Sequence, residues 1–168
     1  MRTPICGVCL RSGILCPACE GKLKRGEISE LDVNIARTLY KLEQKSKMFR
    51  EASFEKAIAT DDLLIIIVER GKAGLLIGKS GKIAKILATE LGKRIRVVER
   101  TENEKQMVQE LILPSRVLGI NIRFLPNGKE EYKIRVPKAD ADKLPSSIEV
   151  VEKLLLQLTN KPMKIFLE

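Results

Sequence analysis

Four cysteines lie within the first 19 residues, arranged as two Cys-x-x-Cys pairs. Because a Cys-x-x-Cys turn directs two thiolates to one point, two such turns supply the four sulfur ligands of a closed tetrahedral zinc site. A closed set leaves no coordination position for a substrate, so we expect a structural Zn²⁺ rather than a catalytic one. The predicted ligands are Cys6, Cys9, Cys16 and Cys19.

The spacer between the two pairs, Leu10–Leu15, is shorter than the spacers of common zinc ribbons and predicts a compact knuckle. Iron is an alternative metal. Thiol chemistry is the other alternative, as a redox site or as a disulfide framework. A redox Cys-x-x-Cys usually stands alone beside a strand–helix unit, and a disulfide framework is typical of small secreted chains, so both fit two adjacent pairs less well than zinc does. So short a segment buries no core of its own, and we expect the metal to supply its folding energy.

A second chemical signal is the glycine-bracketed turn Gly78-Lys79-Ser80-Gly81. The N-terminus of a helix presents unpaired backbone N–H groups and a partial positive charge, which together favour a phosphate. Glycine lets the phosphate come close, Lys79 adds a mobile charge, and Ser80 can donate a hydrogen bond. The turn therefore predicts a binding site for a phosphate group.

Positive charge is concentrated around this turn. The formal net charge of the chain is +9, and the segment 69–96 holds eight Lys or Arg against two Glu, whereas residues 101–168 hold 11 cations against 10 acids. A localised basic face indicates a polyanionic partner. The alternative is that Lys and Glu simply solvate the surface, as in many proteins from hot environments.

The composition argues against several other functions. The chain has no histidine and shows neither a nucleophile triad nor a Walker loop, so we expect no enzymatic activity and no small-molecule substrate. The apolar run Leu63–Val68 is far shorter than a membrane span, and no apolar signal region precedes Cys6. We expect a cytoplasmic protein without membrane attachment.

Hydrophobic periodicity then predicts the elements that position the turn. Ser29 with Asp32 caps a long helix ending near Arg50, and the apolar run Leu63–Val68 predicts a strand buried on both faces. The other predicted elements are a strand within 54–60, helices Gly71–Ile77 and Lys82–Leu91, with Gly92 as the cap of the latter, and a strand Arg94–Glu99.

The same order of elements repeats in the second half. The predicted elements are a helix from Asn103 to Leu113, strands Arg116–Leu125 and Lys129–Val136 joined through Asn127-Gly128, a helix Ser147–Leu158 capped by Ser146 with Glu149, and a strand Met163–Leu167. Where a second glycine turn is due, the chain reads Lys138–Pro145, with no glycine and with two carboxylates that would repel phosphate.

The order helix, two strands, helix, GxxG, helix, strand resembles the bacterial, or type II, KH domain, and the segment Leu75–Ile86 resembles that family's signature. The resemblance implies that the GxxG turn clamps the backbone of about four nucleotides beside an apolar groove. Leu75 and Ile86 are further groove candidates, although each apolar residue there can equally be core. The RNA-binding residues implied are Gly78, Lys79, Ser80, Gly81, Lys82, Lys85, Lys72, Ile77 and Ile83.

Two such units in succession resemble the archaeal NusA-type transcription factors, which are tandem KH proteins that bind RNA. The predicted fold is thus α+β, with a zinc knuckle over 1–26, a KH domain over 27–101, and a degenerate KH-like domain without GxxG over 102–168. The resemblance implies that single-stranded RNA is the partner, in transcription or in ribosome and RNA metabolism. The alternative is a zinc-stabilised protein-interaction module that docks on a ribosomal or RNA polymerase partner.

Overall fold

Each Cys-x-x-Cys pair opens a short helix in the structure, a computed structural model that describes residues 1–168. Helix α1 spans Gly7–Ser12 and α2 spans Pro17–Lys24, with Cys6 and Cys16 as their N-caps. The chain divides into two units, 1–100 and 101–168, and the cysteine segment belongs to the first.

Helix α3, Glu30–Lys45, begins with a complete capping box. The Ser29 hydroxyl accepts from the Asp32 N–H at 3.1 Å, and the Ser29 N–H donates to the Asp32 carboxylate at 2.9 Å. The predicted start of this helix is therefore confirmed, but the predicted end near Arg50 is wrong. Ser46 adopts an extended conformation and caps a separate 3₁₀ turn over Lys47–Phe49, which ends the α-helix five residues early.

The sheet of the first unit contains β1 (Lys56–Ala59), β2 (Leu63–Val68) and β3 (Arg94–Glu99) in the order β1-β2-β3. Strands β1 and β2 pair antiparallel, whereas β2 and β3 pair parallel. The parallel pair needs a crossover, which α4 (Ala73–Ile77) and α5 (Lys82–Leu91) supply. The GxxG turn therefore lies within the crossover, between two helices.

One apolar cluster joins the cysteine segment, α3, the sheet and the crossover helices. Five of the six residues of β2 are buried, as expected for a strand covered on both faces, and the α3 residues Ile35 and Leu39 are fully buried. Ile5, Cys9 and Cys19 belong to the same cluster as Leu76 and Leu87. The cysteine segment therefore packs on the core that carries the turn.

The second unit repeats this topology with its own sheet. Its helices are α6 (Glu104–Ile112) and α7 (Ile148–Thr159), and its strands are β4 (Gly119–Phe124), β5 (Glu130–Val136) and β6 (Met163–Leu167). The order is β4-β5-β6, with an antiparallel pair followed by a parallel one. The chain thus has a mixed α+β fold with seven α-helices and two three-stranded sheets.

Two details of the second unit differ from the sequence prediction. Ser147, not Ser146, caps α7, because its hydroxyl accepts from the Val150 N–H at 3.4 Å. The predicted strand Arg116–Leu125 begins three residues later, at Gly119, and ends at Phe124. The segment Lys138–Lys143, where the sequence predicts no glycine turn, forms a 3₁₀ helix. No helix of the chain combines the length and the apolar character that crossing a bilayer requires.

Candidate nucleic-acid loop and metal centre

The backbone of the GxxG turn requires its glycines. Gly78 has φ 77° and ψ 173°, Ser80 has φ 56°, and Gly81 has φ 72°, so three of the four residues have positive φ. A Cβ on Gly78 would also lie 2.7 Å from Ile83 Cγ1, whereas a Cβ on Gly81 would meet nothing within 4 Å. Gly78 is therefore required by packing as well as by conformation, and Gly81 by conformation alone.

Two of the four backbone N–H groups of the turn donate hydrogen bonds to backbone carbonyl groups. The Gly78 N–H donates to the Gly74 carbonyl at 2.9 Å, and the Gly81 N–H donates to the Gly78 carbonyl at 3.1 Å. Lys79 and Ser80 are the first two residues of the helical run that follows, so their N–H groups have no acceptor within it, and both residues are exposed. The two residues at the tip thus present unpaired donors to solvent, at the entry to α5.

Four lysines near the turn extend into solvent: Lys72, Lys79, Lys82 and Lys85. Lys82 and Lys85 are three residues apart on α5 and share one side of that helix. Lys93 and Arg94, which lead into β3, lie at the other end of α5 from the turn. The ten residues of that helix span roughly 15 Å. There Lys93 donates to the Thr60 carbonyl at 2.8 Å and Arg94 pairs with Asp62 at 2.8 Å.

The apolar residues predicted for the groove take different positions. Ile77 is exposed beside the turn, and Leu75 and Ile86 are half-buried. Ile83 is only 6% exposed and lies beneath Gly78, inside the apolar cluster. The structure therefore gives Ile83 a supporting position under the turn, while Ile77 is the apolar residue that a ligand can reach.

A carboxylate that the sequence analysis did not single out anchors the start of the crossover. The Gly71 N–H donates to the carboxylate of Glu99, which lies at the end of β3. This contact holds the beginning of the α4 segment against the sheet edge. The two residues are 28 positions apart, and no local sequence signal links them.

The corresponding segment of the second unit contains a buried, fully bonded carboxylate instead of a glycine turn. The Asp140 carboxylate is buried and accepts from the Arg116 N–H and Nε, at 3.1 and 2.8 Å, and from Lys143 Nζ at 3.0 Å. These hydrogen bonds hold the pKa of Asp140 well below its ordinary value. The expectation that both carboxylates repel phosphate is therefore wrong for Asp140, whose charge is neutralised internally, and only Asp142 is exposed.

The four cysteine sulfurs lie within 4.8 Å of one another, and none of the cysteines forms a disulfide. The sulfurs of Cys6 and Cys9 are 3.4 Å apart, and those of Cys6 and Cys16 are 3.9 Å apart. Four sulfurs placed about 2.3 Å from one tetrahedral metal would be separated by about 3.8 Å. The arrangement is therefore compatible with a single metal ion.

Backbone N–H groups point at these sulfurs. Cys16 N donates to Cys9 Sγ at 3.0 Å, and Cys19 N donates to Cys16 Sγ at 3.4 Å. Hydrogen bonding from the Cys9 N–H lowers the pKa of Cys6 to about 6, and the Cys19 N–H lowers the pKa of Cys16. Burial acts in the opposite direction on Cys9 and raises its pKa to about 12. The donated hydrogen bonds favour thiolates, the form that binds metal.

Comparison with known proteins gives a limited match. No protein-family profile matches the chain. The chain is similar to the "Probable transcription termination protein NusA" of Methanococcus vannielii, with 32% identity over 72 residues. The match spans 43% of this chain and 42% of that protein, less than half of the relative's length.

Among solved structures, that of the protein APE1850 aligns with 76% of this chain and 96% of its own, with a TM-score of 0.55 and 24% sequence identity. This likeness concerns the fold alone.

Proposed function

We propose that the chain binds single-stranded RNA without catalysing a reaction, and that the segment Gly78–Gly81 holds the RNA backbone. The observation that carries this proposal is the pair of exposed, unpaired N–H groups of Lys79 and Ser80. A phosphate at the tip of the turn would accept from both amides and from the Ser80 hydroxyl. The lysines around the turn would add charge along the adjacent backbone.

The proposal treats the two units as tandem type II KH domains, over 27–101 and 102–168. Its support is the shared topology, in which an antiparallel pair of strands leads through a crossover to a parallel third strand. In this reading the first domain keeps its GxxG turn. The second has replaced the turn with the 3₁₀ segment Lys138–Lys143, whose buried Asp140 fixes the backbone.

Base recognition would rest on aliphatic contacts and hydrogen bonds to base edges. The chain has four Phe, two Tyr and no Trp, and none of these aromatic residues lies in the segment 71–91 around the turn. Ile77, exposed beside the turn, is the nearest apolar platform for a base. Without aromatic stacking, which contributes about 1–3 kcal/mol per base elsewhere, this site would bind RNA modestly.

The cysteine cluster would hold one Zn²⁺, with Cys6, Cys9, Cys16 and Cys19 as its ligands. When bound, the metal would supply structural cross-linking, because four thiolates complete its coordination. Cys9 and Cys19 are buried in the apolar cluster that also contains Leu76 of α4. The centre would therefore stabilise the scaffold of the turn rather than contact RNA directly.

A role in transcription is the cellular setting that the comparison favours, because the similar Methanococcus vannielii protein is described as a probable transcription termination protein. The proposed process follows from that similarity. The proposed binding of RNA has separate support in the geometry of the turn, so the two parts of the proposal can be tested separately.

The experiment that tests RNA binding is the double substitution Lys79→Asp with Ser80→Asp. Two carboxylates at the tip would repel a phosphate, so affinity for a single-stranded oligonucleotide should fall by about tenfold or more. The matched control is Lys41→Asp with Gln44→Asp, which makes the same change of net charge at two exposed positions of α3. Equal affinity losses in both folded variants would refute a specific role for the turn.

A second candidate function is docking on a protein, and two exposed apolar residues of the cysteine segment favour it. Val8 is 58% exposed and Ile14 is 74% exposed. Deleting residues 1–26 would remove Ile5 and Cys9 from the core, so point substitutions are the better test. Val8→Glu with Ile14→Glu should abolish capture of a ribosomal or polymerase partner after nuclease treatment, if the knuckle docks there. Capture that survives the substitutions would contradict docking through the knuckle.

A further inference from the structure

The outer edge of β4 differs from the other sheet edges of the molecule. On β1, the outward Ala57 N–H donates to the buried Asp32 carboxylate at 2.7 Å. On β6, the Ile165 N–H donates to Glu152 at 2.9 Å. Strand β3 carries charged side chains along its length, at Arg94, Arg96 and Glu99. Such carboxylates and charges block the pairing of an edge strand with another chain.

Strand β4 has no carboxylate on its outward N–H groups, and Arg123 is its only charged residue. The Leu125 N–H donates to the Lys129 carbonyl at 2.8 Å, which identifies the odd-numbered residues of β4 as those that form hydrogen bonds with β5. Because an antiparallel ladder alternates, Ile120, Ile122 and Phe124 turn their N–H and C=O groups away from β5. Neither a side chain nor another strand of the protein accepts these N–H groups. The edge therefore presents unpaired backbone groups of three apolar residues.

The side chains at this edge are also exposed. Ile122 is 51% exposed and Phe124 is 73% exposed, although both alternate onto the face of the sheet that carries the buried Ile134. The single charge on the strand, Arg123, lies on the opposite face, where it pairs with Glu131 at 4.0 Å. An exposed apolar edge with free backbone groups is a template for strand addition.

We propose that β4 pairs antiparallel with β4 of a second copy of this chain, with Ile122 opposite the partner's Ile122. In this register the hydrogen-bonded pairs are Ile120 with the partner's Phe124 and Ile122 with its equivalent, each exchanging two hydrogen bonds. The strand is self-complementary here, because apolar side chains meet on one face and Asn121 meets the partner's Arg123 on the other. No like charges face each other, and the two three-stranded sheets join into one of six strands.

A second copy is the occupant that the strand itself specifies. Sliding the register so that Arg123 faces the partner's Arg123 would place like charges together, which disfavours that pairing. A contact between two single strands should bury less than the roughly 1,200 Å² of a standard interface, so we expect a reversible dimer that depends on concentration. The pairing does not use the segment Gly78–Gly81, so it is independent of the proposed RNA binding.

Sedimentation equilibrium of the full chain over a concentration series tests this proposal. The wild type should dimerise, whereas Ile122→Lys and Ile122→Glu should each weaken association by about tenfold or more, because position 122 would then face its own charge. Mixing the two variants should restore association, because Lys then faces Glu. The matched control is Leu156→Lys, a similar change at a 48% exposed leucine of α7, which should dimerise as the wild type does.

Three results would overturn the proposal: a wild type that stays monomeric at the highest soluble concentration, a Leu156→Lys variant as weak as Ile122→Lys, or a mixture that fails to regain association. A folded state of each variant is established by its circular dichroism. An additional variant, Ile122→Pro, removes an outward N–H without breaking a bond to β5, and it should also be monomeric. Undiminished dimerisation of this variant would exclude backbone pairing at β4.

Discussion

Ile83 lies directly beneath Gly78, so close that a Cβ on the glycine would come within 2.7 Å of Ile83 Cγ1. This contact connects the first residue of the turn to the apolar cluster of the unit, because Ile83 is itself part of that cluster. The turn is therefore held from below by packing, while the amides at its tip remain free. A rigid support with unpaired donors above it is a preorganised arrangement for an anion.

The two glycines of the turn should respond differently to alanine. Gly81→Ala places a side chain at φ 72° in open space and should destabilise the protein by about 1 kcal/mol. Gly78→Ala carries the same conformational cost and also collides with Ile83, which adds about 1–3 kcal/mol of overpacking. Urea unfolding of both variants measures the difference. Equal losses of stability would contradict the packing described beneath Gly78.

The salt dependence of RNA affinity should show how many phosphates the lysines around the turn contact. Each phosphate contacted contributes a slope of about 0.7 in log affinity against log salt for single strands. Lys82→Ala with Lys85→Ala should therefore reduce the slope, whereas Lys93→Ala should leave it unchanged, because Lys93 is engaged with the Thr60 carbonyl. Fluorescence anisotropy at several salt concentrations gives these slopes. A slope that is flat in the wild type would contradict the basic surface.

Removing the metal should loosen the first unit selectively. Cys9 and Cys19 share the apolar cluster with Leu39 and Leu87, so loss of the cross-link should destabilise that core, by an amount on the order of several kcal/mol. After chelation, hydrogen exchange should speed up at the amides of Leu39 and Leu87 and stay slow at Leu154 in α7. A Cys9→Ser variant, which lacks one ligand, serves as the control and should show little further response to the chelator. Unchanged exchange in the wild type would argue against a structural metal.

The second unit should lose stability in acid because of Asp140. Its pKa is lowered in the folded state by Arg116 and Lys143, so its contribution is fully present above the unfolded pKa, near 3.8, and is lost as the pH falls further. Asp140→Asn should be less stable than the wild type near neutral pH and should lose less stability below pH 3.8. Denaturation monitored at several pH values tests this. Parallel pH profiles for both proteins would exclude Asp140 as the source.

Local signals account for the elements that the sequence predicted well. Helix Lys82–Leu91 and strands Arg94–Glu99 and Met163–Leu167 have the predicted bounds. The cause is visible in the chain: Gly81 and Gly92, both with left-handed φ, bracket that helix, and β-branched or aromatic residues with high strand propensity lie in both strands. The Cys-x-x-Cys pairs are equally local, and the structure brings their sulfurs together as the spacing predicts.

Contacts between distant residues account for what the sequence did not reveal. The neutralisation of Asp140 depends on Arg116, which lies 24 positions away. The basic segment 69–96 is not one surface, because Lys93 is bound to Thr60 at the opposite end of α5 from the turn. The burial of Ile83 beneath Gly78 depends on the angle between α4 and α5, which periodicity alone does not determine.

The most direct test of the account is the ¹H–¹⁵N spectrum of the full chain during titration with a single-stranded oligouridylate. The Lys79 and Ser80 amides open a helical run and have no acceptor within it, so binding of a phosphate should move their resonances strongly downfield as they gain one. The internally bonded amide of Gly78 should move less. Large shifts at Lys79 and Ser80 that saturate with the oligonucleotide are the predicted result. Shifts confined to other parts of the chain, with these two amides unmoved, would contradict the proposed seat for RNA.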